Sequence, residues 1–126
     1  MKHFNVALLG FGTVGSGVYR IVSENGAQIA HREGIELSVS RILVRDFEHE
    51  PNLDMAPRAL FTTSFDEIIS DPAIDIVVEC MGGIEPAKTF IIRALEAGKT
   101  VVTSNKEVMS KNWPVFEKAA KATGAG

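Results

Sequence analysis

Cysteine is almost missing from this chain: Cys80 stands alone among 126 residues. That excludes an internal disulfide framework and any zinc site built on several thiolates. Positive charge is not in excess either. Thirteen Lys and Arg face sixteen Asp and Glu, a formal net charge of −3, so no overall basic field exists to hold nucleic acid or an anionic membrane. No apolar run approaches the ~18 residues of a membrane-crossing helix. The opening Met1-Lys2-His3-Phe4-Asn5 lacks the apolar stretch of a signal peptide. The three histidines, His3, His31 and His49, are isolated and show no metal-ligand spacing. These absences lead us to expect a cytoplasmic protein with no bound metal and no nucleic-acid or membrane partner. What is present is ordinary for a globular chain, 45% hydrophobic and 23% charged. The length suits one domain over residues 1–126 with a real core.

Two kinds of segment alternate along the chain. Phe4-Asn5-Val6-Ala7-Leu8-Leu9 is a short apolar run that stops at Gly10, the signature of a buried strand. From Thr13 to about Gln28, Val14, Val18, Ile21 and Val22 recur at helical spacing, with Gly26 near the end. Ile35 to Val44 is β-branched and reads as a second strand, and Phe47 to Pro57 carries the acids, prolines and asparagine of a loop. A short strand is expected near Ala59–Thr62, with Ser64 capping a helical turn through Ile69. The second half repeats the grammar: a strand over Ile74–Cys80, a helix from Pro86 with Ala87, Ile91, Ala94 and Leu95 on one face, a strand over Lys99–Thr103, and a helix from about Trp113 to Thr123. Such alternation means an α/β fold with a doubly wound, mostly parallel sheet.

Gly10-Phe11-Gly12-Thr13-Val14-Gly15 is a G-x-G-x-x-G between the first strand and first helix. In that context each glycine has a task. Gly10 allows the tight turn, Gly12 removes a Cβ so that a pyrophosphate can approach the backbone, and Gly15 lets helix and strand pack closely. The helix N-terminus adds free N–H groups and a favourable dipole. The pattern predicts a Rossmann-type dinucleotide-binding fold. At the end of the second strand, Arg45 offers a guanidinium for a 2′-phosphate and Asp46 an acid for a ribose hydroxyl, unless the two form only a solvated pair. NADP is favoured over NAD. The long interval from Gly15 to Asp46 is accounted for by a loop over Gln28 to Gly34. Met81-Gly82-Gly83 permits close backbone approach after the fourth strand. Ser104-Asn105-Lys106 follows the fifth, where Lys106 either orients a carbonyl or carboxylate or is simply solvated.

These blocks, together with Gly82-Gly83-Ile84-Glu85-Pro86-Ala87 and Ala97-Gly98-Lys99-Thr100-Val101-Val102-Thr103-Ser104-Asn105-Lys106, closely resemble the homoserine dehydrogenase family over essentially the whole chain. The resemblance implies interconversion of L-aspartate 4-semialdehyde and L-homoserine with NADP or NAD, in the biosynthesis of threonine, methionine and isoleucine. It implies that Phe11, Thr13 and Val14 line the pyrophosphate turn, that Arg45 meets the adenosine 2′-phosphate, and that Lys106 is the first of two active-site lysines. A lysine there can steady the alkoxide developing on an aldehyde oxygen. Ser104 stands where alanine is often found, a small departure. Family members are considerably longer. Their remainder carries the second lysine, acidic substrate ligands, a monovalent-cation site and most of the dimer interface. The resemblance therefore implies a sheet lacking its last strand, cofactor binding without turnover, and a homo-oligomer.

Cys80 has no histidine near it in the pattern and reads as a half-buried strand thiol rather than a nucleophile. Glu79 ends a buried strand and must be hydrogen-bonded or near solvent, with no role assigned to it. Trp113 and Phe116 read as packing residues, unless they are exposed where the remainder of a longer family member would cover them. Two other readings remain at this point. One is an oxidoreductase of the glucose–fructose oxidoreductase type, which ends the fifth strand in Glu-Lys-Pro rather than Asn-Lys. The other is a non-catalytic nucleotide-sensing module.

Overall fold

In the computed structural model, which describes residues 2–124 and residues 106–111 by their backbone alone, the first apolar run becomes the middle of the sheet. This strand, β1 (Lys2–Leu9), is followed by α1 (Thr13–Glu33), β2 (Ile35–Leu43), two short 3₁₀ turns, β3 (Phe61–Thr62) and α2 (Phe65–Ile69). Then come β4 (Ile74–Glu79), α3 (Ala87–Glu96), β5 (Thr100–Thr103) and α4 (Lys106–Thr123). The strand order is β3-β2-β1-β4-β5 and every pairing is parallel.

The pleat explains why β1 is apolar throughout. Val6 and Leu8 face one layer with Phe11, Ile42 and Phe61, while Ala7 and Leu9 face the other with Phe65, Ile68, Val77 and Ala94. Both faces are covered, so alternating polar residues have no place. α1 packs chiefly on β2, α2 and α3 cover the opposite face, and Ile91, Leu95, Phe116 and Ala119 join α3 to α4. Each fully buried aliphatic side chain contributes about 1.5–3 kcal/mol.

Two helix boundaries and one helix face differ from the sequence reading. α1 does not stop near Gln28 but runs to Glu33, where Gly34 takes the left-handed conformation (φ 71°) and its N–H closes on Ala30. No loop over Gln28 to Gly34 exists. The inward face of α1 also differs: Gly15 and Ser16 are buried, and Val18 and Tyr19 pack on the core. Val14 is 49% exposed and Ile21 lies in solvent. Finally, α4 begins at Lys106 and carries Pro114 in its interior, where the ring forfeits one backbone hydrogen bond. Phe116 is buried as expected, whereas Trp113 is 52% exposed, its indole N–H donating to Glu117.

At the amino end of the sheet the buried ammonium of Lys99 donates to the carbonyls of Asp71 and Ile74 (2.8 and 2.7 Å), and burial lowers its pKa. It fastens the turn before β4 to the start of β5. The glycine turn and the residues singled out with it lie at the other end. β1 has β2 on one side and β4 on the other, so the chain reverses its winding there and a crevice opens between the carboxyl ends. Among the described residues no helix is long and apolar enough to cross a membrane.

Candidate functional site

Gly10 closes β1 with φ +103°, a conformation that favours glycine, and its N–H donates to the Leu43 carbonyl at 2.9 Å. A Cβ on Gly10 would lie 3.2 Å from the Cys80 carbonyl oxygen. The turn is thus wedged between the ends of β2 and β4. A Cβ on Gly15 would stand 2.2 Å from the Gly10 carbonyl oxygen, so the first turn of α1 touches the strand backbone. Gly12 is the opposite case: a Cβ there meets nothing within 4 Å. Two glycines hold the turn shut and the middle one leaves a face open.

That turn forms one wall of a cleft of about 480 Å³. Gly10, Phe11 and Gly12 meet Val44 and Arg45 from the end of β2, and Met81 and Gly82 from the end of β4. The structure therefore brings six of the residues singled out in the sequence to one cavity: Gly10, Phe11, Gly12, Arg45, Met81 and Gly82. Thr13 and Val14 occupy the first turn of α1, exposed beside it, and Gly15 is spent on packing. α1 has no side-chain cap at its N-terminus and no acid in its first turn, leaving its dipole and N–H groups for an anion. Lys106 is the first residue of α4, and its side chain lies outside the described residues.

Phe11 contributes only its backbone. Its ring is 2% exposed and packs edge-to-face on Tyr19 and Phe61 in the core. Its carbonyl accepts a hydrogen bond from the Asn52 side chain at 2.8 Å. Asn52 belongs to the loop after β2, which also supplies Glu50 to the cleft wall and holds Phe47 under the guanidinium of Arg58, 3.7 Å from the ring centroid. Sequence reasoning missed Asn52 and Glu50, since nothing local marks a contact spanning 41 residues.

Arg45 is exposed on the rim. Asp46 is engaged in its own turn: one carboxylate oxygen accepts from the His49 backbone N–H at 2.7 Å and lies 2.9 Å from the His49 ring. The backbone hydrogen bond, aided by the ring, holds Asp46 below the usual aspartate pKa.

Glu79, given no role from sequence, is fully buried at the end of β4. Its Oε2 accepts from the backbone N–H of Met81 (2.7 Å) and Gly82 (3.2 Å), and its Oε1 from the Thr103 hydroxyl (2.5 Å). Next to it Cys80 is half-buried. Desolvation, reinforced by the Glu79 charge, pushes its thiol up to about 11, which suits no nucleophile. Glu85 accepts from both the N–H and the hydroxyl of Thr89 in the first turn of α3, and these bonds lower its pKa. No group of three His, Cys, Asp or Glu residues able to hold a metal occurs among the described residues.

A second cavity of about 450 Å³ lies between α3, β5 and α4. Its walls are almost wholly apolar, and its charged residues Glu117 and Lys121 pair with each other at 3.3 Å. Fewer polar groups line it than line the glycine-walled cleft, which is therefore the candidate site.

Known proteins match this arrangement. A family model described as the NAD-binding domain of homoserine dehydrogenase matches residues 10–126. Homoserine dehydrogenase of Bacillus subtilis is 39% identical over 110 residues, covering 87% of this chain and 25% of that protein. The crystal structure of S. aureus homoserine dehydrogenase at pH 8.5 superposes with a TM-score of 0.88 at 39% identity, covering all of this chain and 31% of that one. A hyperthermophilic archaeal homoserine dehydrogenase in complex with NADPH superposes with a TM-score of 0.77 at 27% identity, covering 98% of this chain and 42% of that one. The chain thus spans about a quarter of the length of the curated relatives it matches. The glycine turn, the order of the strands and the sequence likeness agree: this chain belongs to the homoserine dehydrogenase family and carries its NAD-binding domain.

Proposed function

We propose that residues 1–126 form one dinucleotide-binding unit that holds NADPH, in preference to NADH, across the cleft. The unit serves an oxidoreductase interconverting L-aspartate 4-semialdehyde and L-homoserine. The observation that carries the cofactor preference is the engagement of Asp46. An acid that discriminates for NAD must be free to accept from the ribose 2′-hydroxyl, whereas Asp46 is taken up by His49 and Arg45 is left exposed on the rim. A related protein whose structure is a complex with NADPH supports the same choice.

The residues present fit such a cofactor. The open face at Gly12 and the uncapped start of α1 suit a pyrophosphate, with Thr13 and Val14 beside it. Arg45 suits a 2′-phosphate through a charge-assisted contact. Met81 and Gly82, with the strand end that leads to Lys106, suit the nicotinamide half. When bound, the dinucleotide supplies or accepts a hydride. In that step Lys106 is assigned the stabilisation of charge on the substrate oxygen. The reading includes a small-molecule substrate, a homo-oligomer and a cytoplasmic setting, with neither nucleic acid nor membrane as partner.

The test is a pair of measurements on this chain. Fluorescence titration should show NADPH binding more tightly than NADH. NADPH oxidation with aspartate semialdehyde should be undetectable, because the resemblance places the remaining substrate ligands beyond these residues. Turnover within the usual enzymatic range of about 1–10³ per second would defeat the expectation that the chain binds without reacting, and tighter NADH binding would defeat the cofactor choice.

A further inference from the structure

Glu79 is an expensive residue to bury. A carboxylate removed from water needs its acceptor sites filled, and Glu79, 0% exposed, receives two backbone N–H groups and a hydroxyl. The sheet does not require this, because Glu79 and Thr103 already pair as neighbours in the β4–β5 ladder. The Thr103 hydroxyl accepts in turn from the backbone N–H of Asn105 at 2.9 Å. An N–H can only donate, so the hydroxyl proton is committed to Glu79. The Asn105 side-chain amide donates to the carbonyl of Gly83. The hydrogen bonds thus close a ring through Glu79, Met81-Gly82-Gly83, Asn105 and Thr103. It contains Gly82 and Gly83, both in left-handed backbone conformations (φ +77° and +72°), and the residue immediately before α4.

The adenosine end of a dinucleotide belongs beside Arg45 at the end of β2. The remainder must then cross the switch point and lie over the ends of β4 and β5. We propose that Glu79, acting through Thr103, is a positioning residue that sets the Met81–Gly83 backbone and the entry to α4 against the nicotinamide half of the dinucleotide, leaving the adenosine half untouched. This rests on the dinucleotide reading given above. A closed polar ring anchored on a fully buried carboxylate has one well-defined geometry, which is what a group aligning a hydride donor requires.

The two halves of the ligand separate this role from a merely structural one. The probes are NADPH and adenosine 2′,5′-bisphosphate, which carries the adenosine half alone. Thr103→Val keeps the shape of the side chain and removes the hydroxyl, and Thr103→Ser restores it. Thr103→Val should weaken NADPH binding about tenfold and leave bisphosphate affinity unchanged, with Thr103→Ser near the original value. Glu79→Gln, the harsher change, should follow the same pattern. In the unaltered chain, NADPH should slow amide exchange at Met81, Gly82 and Asn105 and the bisphosphate should not. Equal loss of both ligands, loss of neither, or equal amide protection by both overturns the positioning role alone. Failure of the unaltered chain to bind either ligand overturns the dinucleotide reading, and this inference with it.

Discussion

The Asn52 side chain donates to the carbonyl of Phe11 at 2.8 Å and so straps the loop after β2 onto the glycine turn. Phe11 is held from two sides, its ring by the core and its carbonyl by this bond. The turn that would face a pyrophosphate is therefore fixed before any ligand arrives, which lowers the ordering cost of binding.

Asn52→Asp keeps the size of the side chain but removes the donor. It should lower stability by about 1 kcal/mol and weaken NADPH binding severalfold. Denaturant titration and fluorescence titration measure the two effects. Full retention of affinity would show that the strap serves the loop and not the turn.

The glycines should separate fold from binding. Gly15→Ala forces a Cβ to 2.2 Å from the Gly10 carbonyl oxygen and should destabilise the chain by about 3 kcal/mol, the upper range for overpacking. Gly12→Val meets open space in the structure and should leave the unfolding temperature nearly unchanged while abolishing nucleotide binding. An unfolded Gly12→Val, or one of unaltered affinity, would contradict the division of tasks.

Arg45→Ala should cost NADPH about 1.5–3 kcal/mol of binding, the scale of a hydrogen bond to a charged group, and NADH very little. Isothermal titration of both cofactors decides this. Equal losses would reassign Arg45 to the pyrophosphate or to the fold.

With its pKa raised to about 11 from 9.0, Cys80 should react with a disulfide reagent at pH 8 about a hundredfold more slowly than an unperturbed thiol, in line with its thiolate fraction. Bound NADPH should slow it further, because Cys80 lines the cleft. The sign of the linked stability follows. The thiol is protonated in both states below pH 9, and between 9 and 11 the unfolded chain loses its proton first. Stability contributed by the folded thiol is thus complete below pH 9 and lost as pH rises through 11. Unfolding midpoints for the unaltered chain and Cys80→Ala should converge over that interval.

The sequence disclosed the features that depend on local rules. Strands bounded by glycine, the turn from Gly10 to Gly15 and the Ser64 cap, whose hydroxyl accepts from the Glu67 N–H, are all legible in it. Gln28 to Gly34 reads as a loop because Gly26 looks like a terminus. Gly26 instead lies within α1, and Gly34 supplies the left-handed stop. The last helix likewise starts before Trp113, at Lys106, and runs through Pro114, although proline favours a first helical turn. Glu79 is visible as an acid ending an apolar strand, but its partners Thr103 and Met81 are not. The Asn52–Phe11 bond and the capture of Asp46 by His49 depend on how a loop folds back, and no periodicity encodes that.

The strand order has a kinetic meaning. β1 is the centre of the sheet, yet its partner β4 lies about 70 residues away along the chain, so that pairing closes a long loop and is slow to form. The wedge around Gly10 needs both neighbours, since the Leu43 carbonyl on one side and Cys80 on the other define it. The cleft is therefore complete only once the β1–β4 ladder has formed. A ligand of that cleft can hold the finished sheet together and slow its unfolding by mass action. It has nothing to grip in the chain that is still searching, and leaves the folding rate alone.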